Sequence, residues 1–249
     1  METPWPIDRI IETLDIGQEL PMSTISKPTT GPQPKRWTVE QYHQLGELGA
    51  FKDERAELID GHFYLIHEGI RKQWTHEEYH CADEAGMFHG EHVELIDGEI
   101  YVMSPISRRH ADGILRVQYA FLAVAPDGYL VRTQLPIVGD ASEPEPDVGL
   151  VIGELGNLEQ AIPGNLELAV EVSLSRLKFD RTEKLKVYAR QQIQEYWILN
   201  LVDDCLEVHR GVLGDGYTDQ FVLEAGDSVS CLAIPDAAIF VADLMPKRK

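Results

Sequence analysis

Apolar positions in the middle of the chain follow two periods, and the switching between them outlines a fold. Ala111, Ile114, Leu115, Val117, Phe121, Leu122 and Val124 recur at helical spacing and predict a helix over residues 107–125. Short apolar runs bounded by turn residues predict strands over 129–138, 147–152 and 166–173. A polar, helix-like stretch at 181–192 and an apolar strand at 195–201 follow. The order is α-β-β-β-α-β, an α/β (α+β) arrangement with a mixed sheet. Beyond it, residues 205–210 and 221–224 flank a Gly-rich turn and 236–244 read as a closing helix, a tail with the look of accessory packing.

Ahead of this core the chain repeats itself. Residues 35–64 align without gaps onto 72–101 at an offset of 37, with 16 identities in 30 positions. That level of ungapped identity marks an internal duplication. Each copy predicts a helix followed by a hairpin. Thr38 with Gln41 and Thr75 with Glu78 are capping boxes, and Gly49 and Gly86 suit helix C-termini. Asp60-Gly61 and Asp97-Gly98 are tight-turn dipeptides between short apolar strands. Two copies are too few for a solenoid, so the expectation is an added module that enlarges a dimer or partner surface. Residues 1–34, rich in Pro, Thr and Ser, read as a poorly ordered leader with one or two amphipathic turns over 7–14. Met22 reads as a plausible start, which would leave 1–21 outside the native chain. The expected organisation is therefore a leader (1–34), an extra helix-hairpin copy (35–71) and a main domain (72–249).

Composition narrows the class. At 43% hydrophobic and 26% charged residues, the 249-residue chain is an ordinary globular protein able to bury a core. No apolar run approaches the roughly 18 residues that a membrane helix needs. The N-terminus lacks the basic start and apolar centre of a secretory signal. Cys81, Cys205 and Cys231 are odd in number and widely spaced, which suits reduced thiols in a cytoplasm and disfavours a cysteine zinc site.

Two carboxylates and a lysine carry the candidate chemistry. Asp147 opens the run Pro146 to Ile152, Glu171 lies among Leu168, Val170 and Val172, and Lys184 follows in the polar helix. Carboxylates on adjacent strands can hold Mg²⁺ or Mn²⁺, hard ions that favour oxygen, and a nearby lysine can steady charge on a phosphate. Glu171 is costly to bury unless paired or metal-bound, although strand alternation would equally allow it a solvated face. Asp147 after proline also fits an ordinary turn. The net charge of −20 opposes binding to nucleic acid. Locally the balance reverses, because residues 176–190 hold six basic side chains against two acidic ones. That excess is either a phosphate-binding surface or a solvated helix face.

In sequence the chain resembles the Uma-two family of restriction-endonuclease-like proteins, a branch of the PD-(D/E)xK nuclease superfamily. The resemblance rests on Glu94-Leu95-Ile96-Asp97-Gly98, Met103-Ser104-Pro105 with His110, and Glu145-Pro146-Asp147. It continues through Glu171-Val172-Ser173, Asp180-Arg181 with Lys184 and Tyr188, and Glu195-Tyr196-Trp197. It covers residue 74 to the C-terminus and implies a restriction-endonuclease-like core. It also implies that Asp147, Glu171 and the Val172 carbonyl bind metal, with Lys184 replacing the lysine expected where Ser173 stands. Glu94 becomes a candidate third carboxylate, whose duplicate Glu57 has no catalytic continuation. His110 is a candidate phosphate contact, against ordinary surface or capping service. Arg181 is another, against pairing with Asp180 or Glu183. Lys186 is expected in solvent, and Tyr188 and Trp197 in the core.

The favoured function is a metal-dependent nuclease acting on nucleic acid, DNA foremost, in a homo-oligomer such as a dimer and without a membrane. The alternative from another class is a catalytically silent nuclease fold serving as a binding or regulatory partner, or as an acidic DNA mimic. Geometry separates them first: Asp147, Glu171 and Lys184 should converge on one cleft.

Overall fold

The repeated segment folds twice into the same unit and then packs against itself. The structure is a computed structural model describing residues 31–51, 54–139, 141–154 and 166–247. The expectations for 1–30, including the amphipathic turns and the Met22 start, lie outside the described residues. Strand β1 (Gln33–Pro34) comes first. The first copy is helix α1 (Val39–Leu48) with strands β2 (Ala56–Ile59) and β3 (His62–Leu65). The second is α2 (His76–Glu84) with β4 (Val93–Ile96) and β5 (Glu99–Val102).

Local chemistry shapes both copies alike. The Thr38 hydroxyl accepts from the Gln41 N–H at 3.2 Å, and the Thr38 N–H donates to Gln41 Oε1 at 3.0 Å. Thr75 and Glu78 repeat this at 3.2 and 2.9 Å. Asp60 and Gly61 have φ of 48° and 77°, and Asp97 and Gly98 of 51° and 69°. These left-handed pairs are what a two-residue hairpin turn needs to match strand twist.

The copies then exchange contacts reciprocally. Trp37 and Trp74 stack with ring centroids 5.0 Å apart, inside one apolar cluster that both copies share. Lys35 of the first copy pairs with Glu91 of the second, and Lys72 of the second with Glu54 of the first. The Lys35 N–H donates to the Ile100 carbonyl and the Lys72 N–H to that of Phe63. Pro34 pairs with Tyr101, and Arg71 bridges Tyr64. Every one of these contacts has its counterpart at the offset of 37, so the arrangement is a pseudo-two-fold one. Gln33 and Pro34, expected in the leader, belong to this exchange as β1.

Helix α3 (Arg108–Val124) is capped by Ser107, whose hydroxyl accepts from the His110 N–H. Strands β6 (Tyr129–Arg132), β7 (Val148–Ile152) and β8 (Leu166–Ser173) follow. The crossover helix α4 runs through contiguous segments Leu177–Phe179, Asp180–Lys184 and Leu185–Arg190, the middle one a widened π turn. Strands β9 (Glu195–Asn200), β10 (Cys205–Leu213) and β11 (Gly216–Leu223) complete a six-stranded sheet ordered β11-β10-β9-β8-β7-β6. Only the β8–β9 pair is parallel, which is why a helix must connect those strands.

The α-β-β-β-α-β order is present, and α3 and α4 cover opposite faces of the sheet. Leu168, Val170 and Val172 pack with Ile114, Val117 and Phe121 of α3. Gly113 permits that approach, since a Cβ there would meet Val172 Cγ1 at 2.7 Å. Ala169 packs with Tyr188 and Ala189 of α4.

Three expectations change. The strand expected over 129–138 ends at Arg132, in a stretch interrupted by Pro136, Pro144 and Pro146, which lack ladder donors. The tail is not accessory, because β10 and β11 extend the main sheet and Val229, Cys231, Val241 and Leu244 seal the core beneath α3. The helix expected over 236–244 divides into β13 (Ile239–Phe240), paired with β12 (Ser228–Val229), and a single turn Val241–Leu244. Among the described residues no helix is long and apolar enough to cross a membrane.

Candidate active site

Strand alternation aims Glu171 at the face opposite Val170 and Val172, and α4 covers that face. The glutamate is therefore fully buried, and the solvated alternative is excluded. Its Oε1 accepts from Lys184 Nζ at 2.7 Å and from the Tyr188 hydroxyl at 2.6 Å. The widened turn of α4 buries both Asp180 and Lys184 against the sheet. Lys184 Nζ also reaches Glu94 Oε2 at 2.9 Å and donates to the Glu145 carbonyl at 3.4 Å. Asp147, just ahead of β7, accepts from the Val172 N–H at 2.8 Å and lies 3.0 Å from His110 Nε2. Arg176 closes the cluster. Its Nη2 bonds Asp147 Oδ2 and Glu171 Oε2, the latter at 3.2 Å. One cation thus bridges the two carboxylates, and Asp180 approaches the same guanidinium at 3.6 Å.

The buried charges do not balance. Glu94, Asp147, Glu171 and Asp180 are four carboxylates, while Arg176 and Lys184 are two cations, all at most 5% exposed. Burial pushes Glu171 up to about 8 despite Lys184 and Arg176, and pushes Asp180 up to about 6 against the same cations. Burial would raise Asp147 too, but Arg176 and His110 hold it well below the usual carboxylate range. Burial alone would lower Lys184, yet Glu171 and Glu94 outweigh it and raise it, so the side chain stays an ammonium. A proton-accepting lysine is not what this environment produces.

Of the residues singled out from sequence, Asp147, Glu171, Lys184, Glu94 and His110 meet in this cluster. His110 is more than a surface or capping residue, being 7% exposed against Asp147. Val172 brings its N–H to Asp147. Arg181 does not join the cluster: it makes a bidentate pair with Glu207 at 2.8 and 2.7 Å, so its carboxylate partner is neither Asp180 nor Glu183. Glu57 is exposed, as is Lys186. Trp197 is buried in the core, and Tyr188, also expected there, adds a polar function through its hydroxyl. The basic excess over 176–190 is largely consumed internally, because Arg176 and Lys184 are buried and Arg181 and Arg190 are paired. Arg176, one of the six basic residues of that excess, belongs to the site although no motif marks it. A charged residue at the strand-to-helix junction, five positions after Glu171, was the available signal.

A cleft of about 740 Å³ opens beside the cluster. Gln33, His92, Met103, Ser104, Pro105 and Glu145 line it, so the Met-Ser-Pro motif forms a wall. Glu145 belongs to both places, with its carbonyl toward Lys184 and its carboxylate 2.9 Å from His92 Nε2. Glu171 and Lys184 themselves are closed to solvent.

Comparison with known proteins fits this arrangement. The family profile Uma2, described as "Putative restriction endonuclease", matches residues 76–242. The chain belongs to the Uma2 family. The match takes in α2, the second hairpin and the whole six-stranded sheet, and leaves the first copy outside. A crystal structure described as a putative nuclease belonging to DUF820, from Anabaena variabilis, superposes with a TM-score of 0.50 at 14% identity. It covers 61% of this chain and 88% of that one, a likeness of fold. No curated protein matches. The restriction-endonuclease-like core expected from sequence is thus the architecture observed.

Proposed function

We propose that the cluster is the centre of a metal-dependent nuclease that hydrolyses phosphodiester bonds of nucleic acid, DNA foremost. The supporting observation is the convergence of buried acids: Glu94, Asp147, Glu171 and Asp180 crowd around Arg176 and Lys184, more acid groups than those two cations pair, a setting that a divalent ion would stabilise. The donors also fit a hard ion, since Asp147 and Glu171 already converge on a shared cation, the Arg176 nitrogen. They are the proposed ligands of Mg²⁺ or Mn²⁺, with the Val172 carbonyl as a third oxygen. When bound, such an ion acidifies a coordinated water and offsets charge on the phosphate.

The chain's own residues do the rest. Val172 N–H and His110 hold Asp147, while Tyr188 and Lys184 fix Glu171. Lys184, kept cationic by Glu171 and Glu94, supplies positive charge against the developing oxyanion. Arg176, released from its bridge between the carboxylates, offers a guanidinium to phosphate.

The test is cleavage of supercoiled plasmid, linear duplex and single strands at low salt with Mg²⁺ or Mn²⁺, comparing wild type with Glu171→Ala. Metal-dependent cleavage that the substitution abolishes is expected. The closed cluster and the net charge of −20 favour one other reading, a silent nuclease fold acting as a binding partner. Folded wild type that cuts none of these substrates would select it. Equal cleavage by both proteins would point to a contaminant or to a different carboxylate.

A further inference from the structure

His76 and His80 lie one turn apart on α2 and so project from the same face of the helix. Glu143, from the irregular segment ahead of β7, meets them there. Its Oε2 is 3.1 Å from His76 Nδ1 and 2.9 Å from His80 Nε2, and the three ligand atoms all lie within 4.8 Å of one another. Glu143 is 5% exposed, whereas His80 is open to solvent.

The hydrogen-bond roles of His76 sharpen the picture. Its Nε2 faces the Gly139 carbonyl, which can only accept, so Nε2 must carry the proton. The other nitrogen, Nδ1, then points a lone pair at a carboxylate oxygen unless a cation stands between them. A metal ion between them would turn that opposition into two coordinate bonds. A carbonyl that fixes the outer nitrogen of a histidine while the inner one faces a carboxylate is the usual support of a ligating imidazole.

We propose that His76 Nδ1, His80 Nε2 and Glu143 Oε2 form a second metal site, specific for a transition cation of the zinc class. Two imidazoles with one carboxylate suit a borderline-soft ion, in contrast to the oxygen donors of the nuclease cluster. The ion ties α2 to the segment that carries Ser142, Glu145 and Asp147. That segment is already stitched to the second hairpin, by Glu143 N–H to the Leu95 carbonyl at 2.6 Å and Gly98 N–H to that of Ala141 at 2.7 Å. The site belongs to the second copy alone, because the counterpart of His76 is Val39.

The test uses the full-length, untagged chain stripped with a chelator and titrated with Zn²⁺ against a chromophoric competitor, in excess Mg²⁺. Wild type and Glu171→Gln are each expected to take one tight equivalent, and thermal denaturation should show a Zn²⁺-dependent rise in Tm. His80→Ala, at an exposed position that folding tolerates, should bind at least tenfold more weakly and lose the rise. Glu143→Gln should weaken binding likewise, and Cys81→Ser should leave it intact. Wild type that binds no Zn²⁺, or His80→Ala that binds as tightly as wild type, would overturn the proposal and leave a plain ion-paired contact. Binding lost in Cys81→Ser but kept in His80→Ala would overturn it too.

Discussion

The two helix-hairpin copies share sequence, caps and turn geometry, yet Glu57 of the first is exposed while Glu94 of the second is fully buried against Lys184. Both occupy the second position of a four-residue strand, and each sits directly across its hairpin from a tyrosine, Tyr64 or Tyr101. What differs is the surroundings. Both hairpins receive a flanking segment, Gln33 and Pro34 beside β5 and Arg71 beside β3, but only over the β4–β5 hairpin do α4 and the segment ahead of β7 close, bringing Lys184 and the Glu145 N–H to Glu94. The Glu-Leu-Ile-Asp-Gly string therefore encodes a hairpin. Its glutamate becomes buried and ion-paired only where a buried cation is placed opposite.

That contrast can be broken most forcefully at the glutamates. Glu94→Ala strips a buried partner from Lys184 and should cost about 3–5 kcal/mol, as for other broken buried pairs. Glu57→Ala should stay within about 0.5 kcal/mol. Urea denaturation of both proteins measures this, and plasmid cleavage should fail only in the first. Comparable losses would mean that the copies are not specialised. The tryptophan stack tests what the copies share. Trp37→Ala and Trp74→Ala should each cost about 3 kcal/mol as core truncations. The double variant should cost clearly less than their sum, because the rings touch. Strict additivity would argue against the reciprocal packing.

Smaller effects should fall on both copies. Alanine at Gly61 or Gly98 forces a left-handed conformation and should cost about 1–2 kcal/mol. The two sites should suffer alike, because the Gln73 Oε1 that a Cβ at Gly98 would meet is the free end of a flexible side chain, and the next contacts, Gln73 Cβ at 3.1 Å and Arg36 Cβ at 3.2 Å, are nearly equal. Thr38→Ala and Thr75→Ala should each lose about 1 kcal/mol as N-cap deletions. Thermal melts that found one cap silent would show that its copy draws little stability from its own helix.

What was legible in the sequence was local. Capping boxes, Asp-Gly turns and the change between helical and strand periods depend on neighbours a few positions apart, so α1 to α3 and β7 to β9 could be placed. Contacts between distant segments could not. The depth of Glu171 depends on α4 lying over β8, and the burial of His110 on its approach to Asp147. The partner of Arg181 lies 26 residues away on β10. Arg176 follows no pattern of its own and becomes visible only when two strands and a helix bring three carboxylates around it. The tail is opaque for the same reason: nothing within 205–224 announces that it pairs with β9.

The widened turn of α4 has a consequence for how such sites are searched for. Lys184 stands 13 residues beyond the glutamate it touches, in a helix, and Ser173 occupies the strand position where a lysine would make the compact spacing. An ammonium can reach the same point in space from either address. A pattern that counts residues would pass over this chain, whereas one that asks which ammonium ends beside the strand glutamate would retrieve it. The π segment also sets the angular phase of that helix. Deleting one residue within it would restore ordinary winding and turn Lys184 away from Glu171, with the fold otherwise kept.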